Sequence, residues 1–446
     1  MFLISALLAA VIFVVVATSI GRLHPFAALL LAAFGFGLST GMPSEEVVSA
    51  INRGFGDTIA YVGIIVVAGS IIGTFLHRSG GALRLAIAIT NAIGRKHTTS
   101  SMGIVGYIVS MPVFCDVAYV LLSPVNRALS KRAAIPVASG AIALSLGLYA
   151  THTMVPPTPG PVAAAGILNA ELGLVVLWGL VVSIVALLSG LLFATRIAGR
   201  FRLRDEIALG EEPAKAEQEV ELPSLALSLL PILLPLALIL LYSISQLPSS
   251  PLGKGTPKTF IGLLGQPAVA LSLGAVLSIF LPQTFKREML SEAGWIGESI
   301  RNAALIILIT GAGGAFGRVL QESDIADVVS AKASALNWGI LLPFVVAAAI
   351  KTAQGSSTVA IVTAAGITAP LLPVLGPDSE TAKALAVVSI GAGSMVVSHA
   401  NDSYFWVVTQ FSGMTVRQGY LLQSLGTLIQ GSTAAVAVLV FANLLL

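Results

Sequence analysis

Long apolar runs constrain this chain more than any other feature of its sequence. One run covers residues 172–194 (LGLVVLWGLVVSIVALLSGLLFA), and another covers residues 225–245 (LALSLLPILLPLALILLYSIS). Each run is long enough to cross a bilayer as a helix, which takes about 20 residues. Charged residues make up only 10% of the chain, against about 25% in ordinary soluble domains. The sequence therefore predicts an all-α polytopic membrane protein with roughly 10–12 spans.

A single charged stretch divides the apolar sequence into two halves. Residues 196–223 (RIAGRFRLRDEIALGEEPAKAEQEVELP) are too polar to enter a bilayer. We therefore predict an N-terminal transmembrane repeat at 1–195, a cytoplasmic linker at 196–223 and a C-terminal transmembrane repeat at 224–446.

Paired glycines indicate that the two halves are related. Gly69 and Gly73 in the first half recur at the same separation as Gly313 and Gly317 in the second half. Gly-xxx-Gly is by itself common in membrane helices, because small residues permit close packing. The halves also share helix-breaking patches at matching places. Two related halves with interrupted helices are typical of secondary transporters.

The helix-breaking patches combine glycine, proline and polar residues inside apolar sequence. They are SMPVFCD (110–116), THTMVPPTPGP (151–161), TAQGSST (352–358) and SHANDSYFW (398–406). Proline removes a backbone N–H and clashes with the preceding turn, so it interrupts a helix. Non-helical backbone at membrane depth is tolerated only where it is buried in protein or lines a cavity. Because helix N-termini attract small anions, these breaks predict a binding site for a small organic anion.

Polar side chains in the patches are the candidate site residues. Hydroxyl, amide and imidazole groups suit substrate binding, and the candidates are His152, Thr153, Thr158, Gln354, Ser356, Ser357, Thr358 and Asn401. Carboxylates and imidazoles inside a membrane suit proton coupling, and the candidates are Asp116, His399 and Asp402. The alternative is structural: a carboxylate paired with a buried base, or a histidine that only binds a carbonyl group. Lys351 allows three interpretations, namely attraction of the substrate, pairing with an aspartate, or extension to the membrane interface.

The chain resembles the gluconate permease family of proton symporters, within the wider ion-transporter superfamily, over essentially its whole length. The segments that carry the resemblance are residues 54–86, 111–125, 152–165, 310–325, 348–360 and 398–408. The resemblance implies two inverted-topology repeats, each with a re-entrant hairpin and an interrupted helix, and a homodimer in the bacterial inner membrane. It places the hairpin tips at 110–116 and 352–358. In the family the first-half break usually reads Pro-Pro-His-Pro-Gly, whereas Thr158 replaces the histidine here, which weakens the transfer of substrate identity.

These observations predict a secondary active transporter for a small organic anion, and the resemblance implies that it imports gluconate or a related sugar acid by proton symport. Importing a monovalent anion against a negative-inside potential costs about 2.3 kcal/mol per 100 mV, and one co-transported proton cancels that charge. We expect the lipid bilayer as surroundings, no nucleic-acid partner, and no cofactor besides the coupling ion. A sodium-coupled carrier of a small hydroxy or amino carboxylate, such as D-serine or glycerate, is the alternative. An intramembrane enzyme and a channel are further classes, although the sequence contains no P-loop, His-Glu-x-x-His or Gly-x-Ser-x-Gly motif.

Overall fold

The computed structural model describes residues 2–19, 21–94, 97–203, 222–246, 256–323, 339–372, 379–399 and 402–446. The helices of the first half are α1 (Phe2–Ser19), α2 (Pro25–Ser39), α3 (Ser44–Arg78), α4 (Gly81–Ile93), α5 (Thr98–Val109), α6 (Cys115–Ala133), α7 (Val137–Met154), α8 (Pro159–Ile167) and α9 (Leu172–Arg196). Those of the second half are α10 (Leu225–Gln246), α11 (Thr256–Leu264), α12 (Pro267–Ser278), α13 (Trp295–Glu322), α14 (Leu341–Gln354), α15 (Ser357–Thr368), α16 (Glu380–Ser394), α17 (Ser403–Ser412) and α18 (Val416–Leu445). The predicted all-α class is confirmed.

Four of the described helices are by themselves long and apolar enough to cross a membrane. They are Leu172–Arg200, Leu225–Tyr242, Arg287–Glu322 and Val416–Leu445. Helix α3 adds a fifth if its two parts count as one span, because it bends by 43° between Tyr61 and Gly63. Several other apolar helices are shorter than a span, as expected where breaks interrupt the apolar sequence. The total of 10–12 spans stays a prediction.

All four predicted breaks interrupt helices in the structure. In each half, two helices joined by a short break precede a helix that is itself interrupted. We call α5–α6 and α14–α15 the first and second helix pairs, and α7–α8 and α16–α17 the first and second broken helices. The order of these elements is the same in both halves. Whether the pairs are re-entrant and the halves inverted stays a prediction, and residues 204–221 of the predicted linker lie outside the described residues.

Helices from the two halves pack against one another through glycines. Helix α3 contacts α13, and a Cβ on Gly54 would lie 2.5 Å from the carbonyl oxygen of Gly314. Across the halves, α6 contacts α17 and α15 contacts α8. The glycines of α13 therefore permit close packing of helices from the two halves.

Close contacts at three other glycines bring the breaks into one region. A Cβ on Gly73 of α3 would overlap the carbonyl oxygen of Pro112, which lies in the break of the first helix pair. A Cβ on Gly69 would lie 3.3 Å from the carbonyl oxygen of Pro157, in the break of the first broken helix. Helix α16 likewise approaches α7 at Gly391, which has no room for a side chain. The ends of interrupted helices from both halves therefore meet in the interior.

Candidate substrate and coupling site

A buried ion pair joins the second helix pair to the second broken helix. Lys351 lies in the last turn of α14, and its Nζ is 2.5 Å from Oδ2 of Asp402. The two side chains are 0% and 5% exposed. The ammonium group also donates to the carbonyl oxygen of Gly355 and lies 5.7 Å from the ring centroid of Tyr149. These contacts offset part of the desolvation cost of a buried charge and hold the ammonium group at the break.

Asp402 has both carboxylate oxygens engaged. It occupies the N-cap position of α17, where Oδ1 accepts a hydrogen bond of 3.1 Å from the backbone N–H of Tyr404. Its Oδ2 accepts from the hydroxyl of Ser398 at 2.5 Å, in addition to Lys351. The hydroxyl of Tyr149 lies 3.5 Å from the same oxygen, at the outer limit of a hydrogen bond. One carboxylate therefore caps a helix and neutralises the lysine at the same time.

Contacts from α18 hold the backbone of the break in the second broken helix. The N–H of Ser398 donates to Oγ1 of Thr427 at 3.0 Å, and its carbonyl oxygen accepts from the hydroxyl of Ser424. Ser424 ends a π-helical turn at Tyr420–Ser424, a form that is frequent at functional sites. Val397 has a φ of +53°, which is an unfavourable conformation for a β-branched residue. The strained backbone persists because its surroundings fix it on both sides.

Two polar atoms from the first half lie buried near the ion pair. Oδ1 of Asp116, in the first turn of α6, and Nδ1 of His152, in the last turn of α7, have no hydrogen-bond partner within the described ranges. Both side chains lie within electrostatic range of Asp402 and Lys351. Unpaired buried polar atoms are rare in folded proteins, and each needs an explanation such as a ligand, a proton or a water molecule. The structure thus brings together three predicted residues from patches far apart in the sequence.

The two predicted threonines of the first half bind backbone carbonyls. Thr153 is buried, and its hydroxyl donates to the carbonyl oxygen of Tyr149 at 3.1 Å. Thr158 precedes the first residue of α8, and its hydroxyl donates to the carbonyl oxygen of Val155 at 2.6 Å. Each hydroxyl oxygen retains the capacity to accept a further hydrogen bond. Their contact with substrate stays a prediction.

The predicted hydroxyl residues of the second helix pair lie at the start of α15. Ser356 is the N-cap residue, and its hydroxyl accepts from the N–H of Val359 at 3.3 Å. Ser357 is buried, and its side chain lies close to that of Tyr149. Thr358 follows in the first turn and is half-buried. These residues surround the N-terminus of α15. The positive end of this helix therefore lies close to Tyr149.

Of the remaining predicted residues, only His399 has a side chain within the described residues. His399 is half-buried, and its Nε2 lies 2.8 Å from the carbonyl oxygen of Thr352. This contact links the second broken helix to the end of α14. Gln354 is the last residue of α14, but its side chain, like the whole of Asn401, lies outside the described residues.

Several residues of the site carry no signal in the sequence. Tyr149 and Ser398 both contact Asp402, yet Tyr149 lies inside an apolar helix and Ser398 resembles an ordinary packing serine. Lys351 was open to three interpretations, and its position 51 residues before Asp402 did not decide between them. The structure shows that it pairs with an aspartate. In the sequence, His399, Asn401 and Asp402, which share a patch with Ser398, indicated that this region is functional.

Comparison with known proteins assigns the family. A family model described as GntP family permease matches residues 1–445. The chain belongs to the GntP family of permeases. This GntP permease is 33% identical over 405 residues to a gluconate permease of Pseudomonas aeruginosa, which covers 90% of this chain and 88% of that protein. It is 32% identical over 441 residues to the inner membrane permease YgbN of Escherichia coli, covering 96% and 95% of the two chains.

A solved structure has the same overall fold as the GntP permease. It is the YdaH transporter of Alcanivorax borkumensis, with a TM-score of 0.66 over 94% of this chain and 98% of that chain. At 15% sequence identity, this similarity concerns the fold alone. The family model confirms the family resemblance found in the sequence. The chain is a multi-pass transport protein of the bacterial inner membrane, and not an enzyme.

Proposed function

We propose that this GntP permease imports gluconate or a closely related hydroxylated carboxylate by proton symport. The observation that carries the proposal is the buried pair of Lys351 and Asp402 at the meeting point of the helix breaks. A buried ammonium group offers a counter-charge for a carboxylate, and the N-termini of α15 and α17 add positive potential nearby. A relative named gluconate permease, at 33% identity, supports this class of substrate.

Protons suit this site better than sodium. A sodium ion needs carboxylate and carbonyl oxygens, but the ammonium group of Lys351 already engages Oδ2 of Asp402 and the carbonyl oxygen of Gly355. A proton can bind the carboxylate without displacing so many ligands. We assign proton coupling to Asp116, His399 and Asp402, and Asp116 is available because its Oδ1 has no partner among the described residues.

Polar groups of the second helix-pair tip and of the two broken helices supply the substrate contacts of this proposal. A polyhydroxy acid needs hydroxyl, amide and N–H partners along its length in addition to a counter-charge for its carboxylate. The proposed partners are His152, Thr153, Thr158, Gln354, Ser356, Ser357, Thr358 and Asn401. We further propose that the permease works as a homodimer, as its resemblance to the family implies.

Uptake into liposomes tests the proposal. Purified protein is reconstituted, and labelled gluconate is added outside with an acidic exterior, an alkaline lumen and no sodium. The expected result is accumulation above the external concentration, and a protonophore abolishes it. Matched vesicles with equal pH on both sides and an inward sodium gradient are the control. Accumulation in the sodium vesicles alone would establish the sodium-coupled alternative, and equilibration without accumulation would indicate a channel.

A further inference from the structure

We infer that Lys351 binds the carboxylate of the substrate, and that Asp402 stays ion-paired with this lysine until Asp402 binds a proton. The inference rests on the proposed function and adds the coupling step to it. In the structure, Asp402 is the counter-ion of Lys351, at 2.5 Å. A proton from the aqueous phase forms an O–H bond on Asp402, and no other covalent bond changes. The neutral acid releases the ammonium group, and the substrate carboxylate takes its place.

The charges of the two states explain why proton and substrate travel together. In the empty state, the ammonium and the carboxylate sum to zero. In the loaded state, the ammonium, the neutral acid and the substrate carboxylate again sum to zero. Binding only the proton, or only the substrate, leaves one uncompensated charge at a site where Lys351 is 0% exposed. An unpaired charge is costly in the protein interior, so both half-loaded states are disfavoured.

The hydrogen bonds of Asp402 allow this exchange without loss of the N-cap of α17. Lys351 and Ser398 contact Oδ2, whereas the cap of α17 uses Oδ1. A proton on Oδ2 therefore leaves the bond to the N–H of Tyr404 intact. The hydroxyl of Ser398 can then accept from the new O–H instead of donating, since a hydroxyl does both. The freed ammonium group keeps its bond to the carbonyl oxygen of Gly355, which holds it in place for the substrate.

Several titratable or charged groups surround Asp402 on the elements packed against it. They are Cys115 and Asp116 on α6, Tyr149 and His152 on α7, Lys351 on α14, Tyr404 on α17, and His399 in the same break. Lys351 contacts the carboxylate at ion-pair distance, so proton binding at Asp402 acts first on this lysine. The competing explanation is that the pair is only structural and that the substrate carboxylate binds elsewhere.

Proton uptake on binding separates these explanations. Binding of gluconate and of D-glycerate to the purified protein is measured by calorimetry in buffers of different ionisation enthalpy, from acidic to alkaline pH. Wild type should take up one proton for each anion bound, and its Kd should rise by about tenfold per pH unit in the alkaline range. Asp402→Asn should bind with little pH dependence and take up no proton through this site. An Asp402→Asn variant with the proton uptake and pH dependence of wild type would overturn the inference.

Removal of the lysine charge gives a second, independent result. Lys351→Met should weaken anion binding by about a hundredfold, because a charge-assisted contact is lost. The double variant Lys351→Met/Asp402→Asn leaves no unpaired charge and keeps similar volumes, so it should fold. Its melting temperature and monodispersity check this. It should bind as weakly as Lys351→Met. A double variant that binds like wild type would show that the pair is only structural. Binding of gluconate with proton uptake by wild type tests the proposed function. The ratio of the Kd of each variant to that of wild type tests this inference.

Discussion

The contact between α3 and the first helix pair makes Gly73 a sensitive position. A methyl group at Gly73 would overlap the carbonyl oxygen of Pro112 and lie 3.6 Å from the Cα atom of Val113. Because both neighbours are backbone atoms, no side-chain rotation relieves the overlap. Restoring van der Waals distance moves the break by about 1 Å. Asp116 lies in the first turn of the helix that follows this break, so Gly73→Ala should displace it.

Gly56 on the same helix provides the matched control, because a Cβ there meets no atom within 4 Å. Alanine in place of glycine favours a helix by about 1 kcal/mol at either position. Overpacking at Gly73 costs about 1–3 kcal/mol, which cancels or exceeds that gain. Gly73→Ala should therefore be less stable than Gly56→Ala by about 1–3 kcal/mol. Displacement of a functional group by about 1 Å should also slow transport by tenfold or more.

Thermal unfolding of both purified variants, together with gluconate uptake into liposomes, measures these effects. Gly56→Ala should melt at or above the temperature of wild type and transport at the wild-type rate. Gly73→Ala should melt below Gly56→Ala and transport much more slowly. Equal melting temperatures and equal rates for the two variants would refute the packing of α3 against the break at Pro112.

Three further predictions concern the site itself. Asp116→Asn should abolish accumulation but leave part of the exchange of labelled for unlabelled substrate, because an amide cannot carry a proton; accumulation at the wild-type rate with unchanged pH dependence would exclude Asp116 from coupling. Ser356→Ala or Ser357→Ala should raise the KM for uptake by about tenfold if a hydrogen bond to a charged group is lost, and an unchanged KM in both variants would place the substrate elsewhere. Thr427→Val removes a hydrogen bond to the backbone of the second break and should lower stability by about 1 kcal/mol and weaken substrate binding. Thr433→Val on the same helix, where the hydroxyl donates to the carbonyl oxygen of Ile429 in its own helix, is the control, and equal effects would show that the contact at Thr427 has no special role.

The sequence predicted the all-α membrane fold and the positions of the breaks. Both follow from local properties: the length of apolar runs, and the prolines and glycines that no continuous helix tolerates. The break in THTMVPPTPGP (151–161) needs no knowledge of the rest of the chain, because proline lacks the N–H that a helix requires.

Pairing of Lys351 with an aspartate was one of three open interpretations, and which aspartate it meets was not predicted, because the ion pair depends on contacts between distant segments. Lys351 and Asp402 lie on different elements, and no periodicity in the sequence reports which charges meet across a fold. The hydrogen bonds from Ser424 and Thr427 to the backbone of Ser398 could not be predicted for the same reason, since both residues resemble ordinary small polar residues of a membrane helix. Asp116 was recognised as a candidate coupling residue because burying a carboxylate within apolar sequence costs free energy in any fold.

The proton-to-substrate ratio, measured as a function of membrane potential, tests the central claim most directly. Liposomes with the purified permease carry a pH indicator inside, and labelled gluconate uptake is followed at a fixed pH gradient while potassium and valinomycin set the potential. The account predicts one proton per gluconate and an initial rate that does not change with the potential, because the empty and loaded sites are both neutral. Gluconate uptake without proton movement, or a rate that follows the potential, would contradict it.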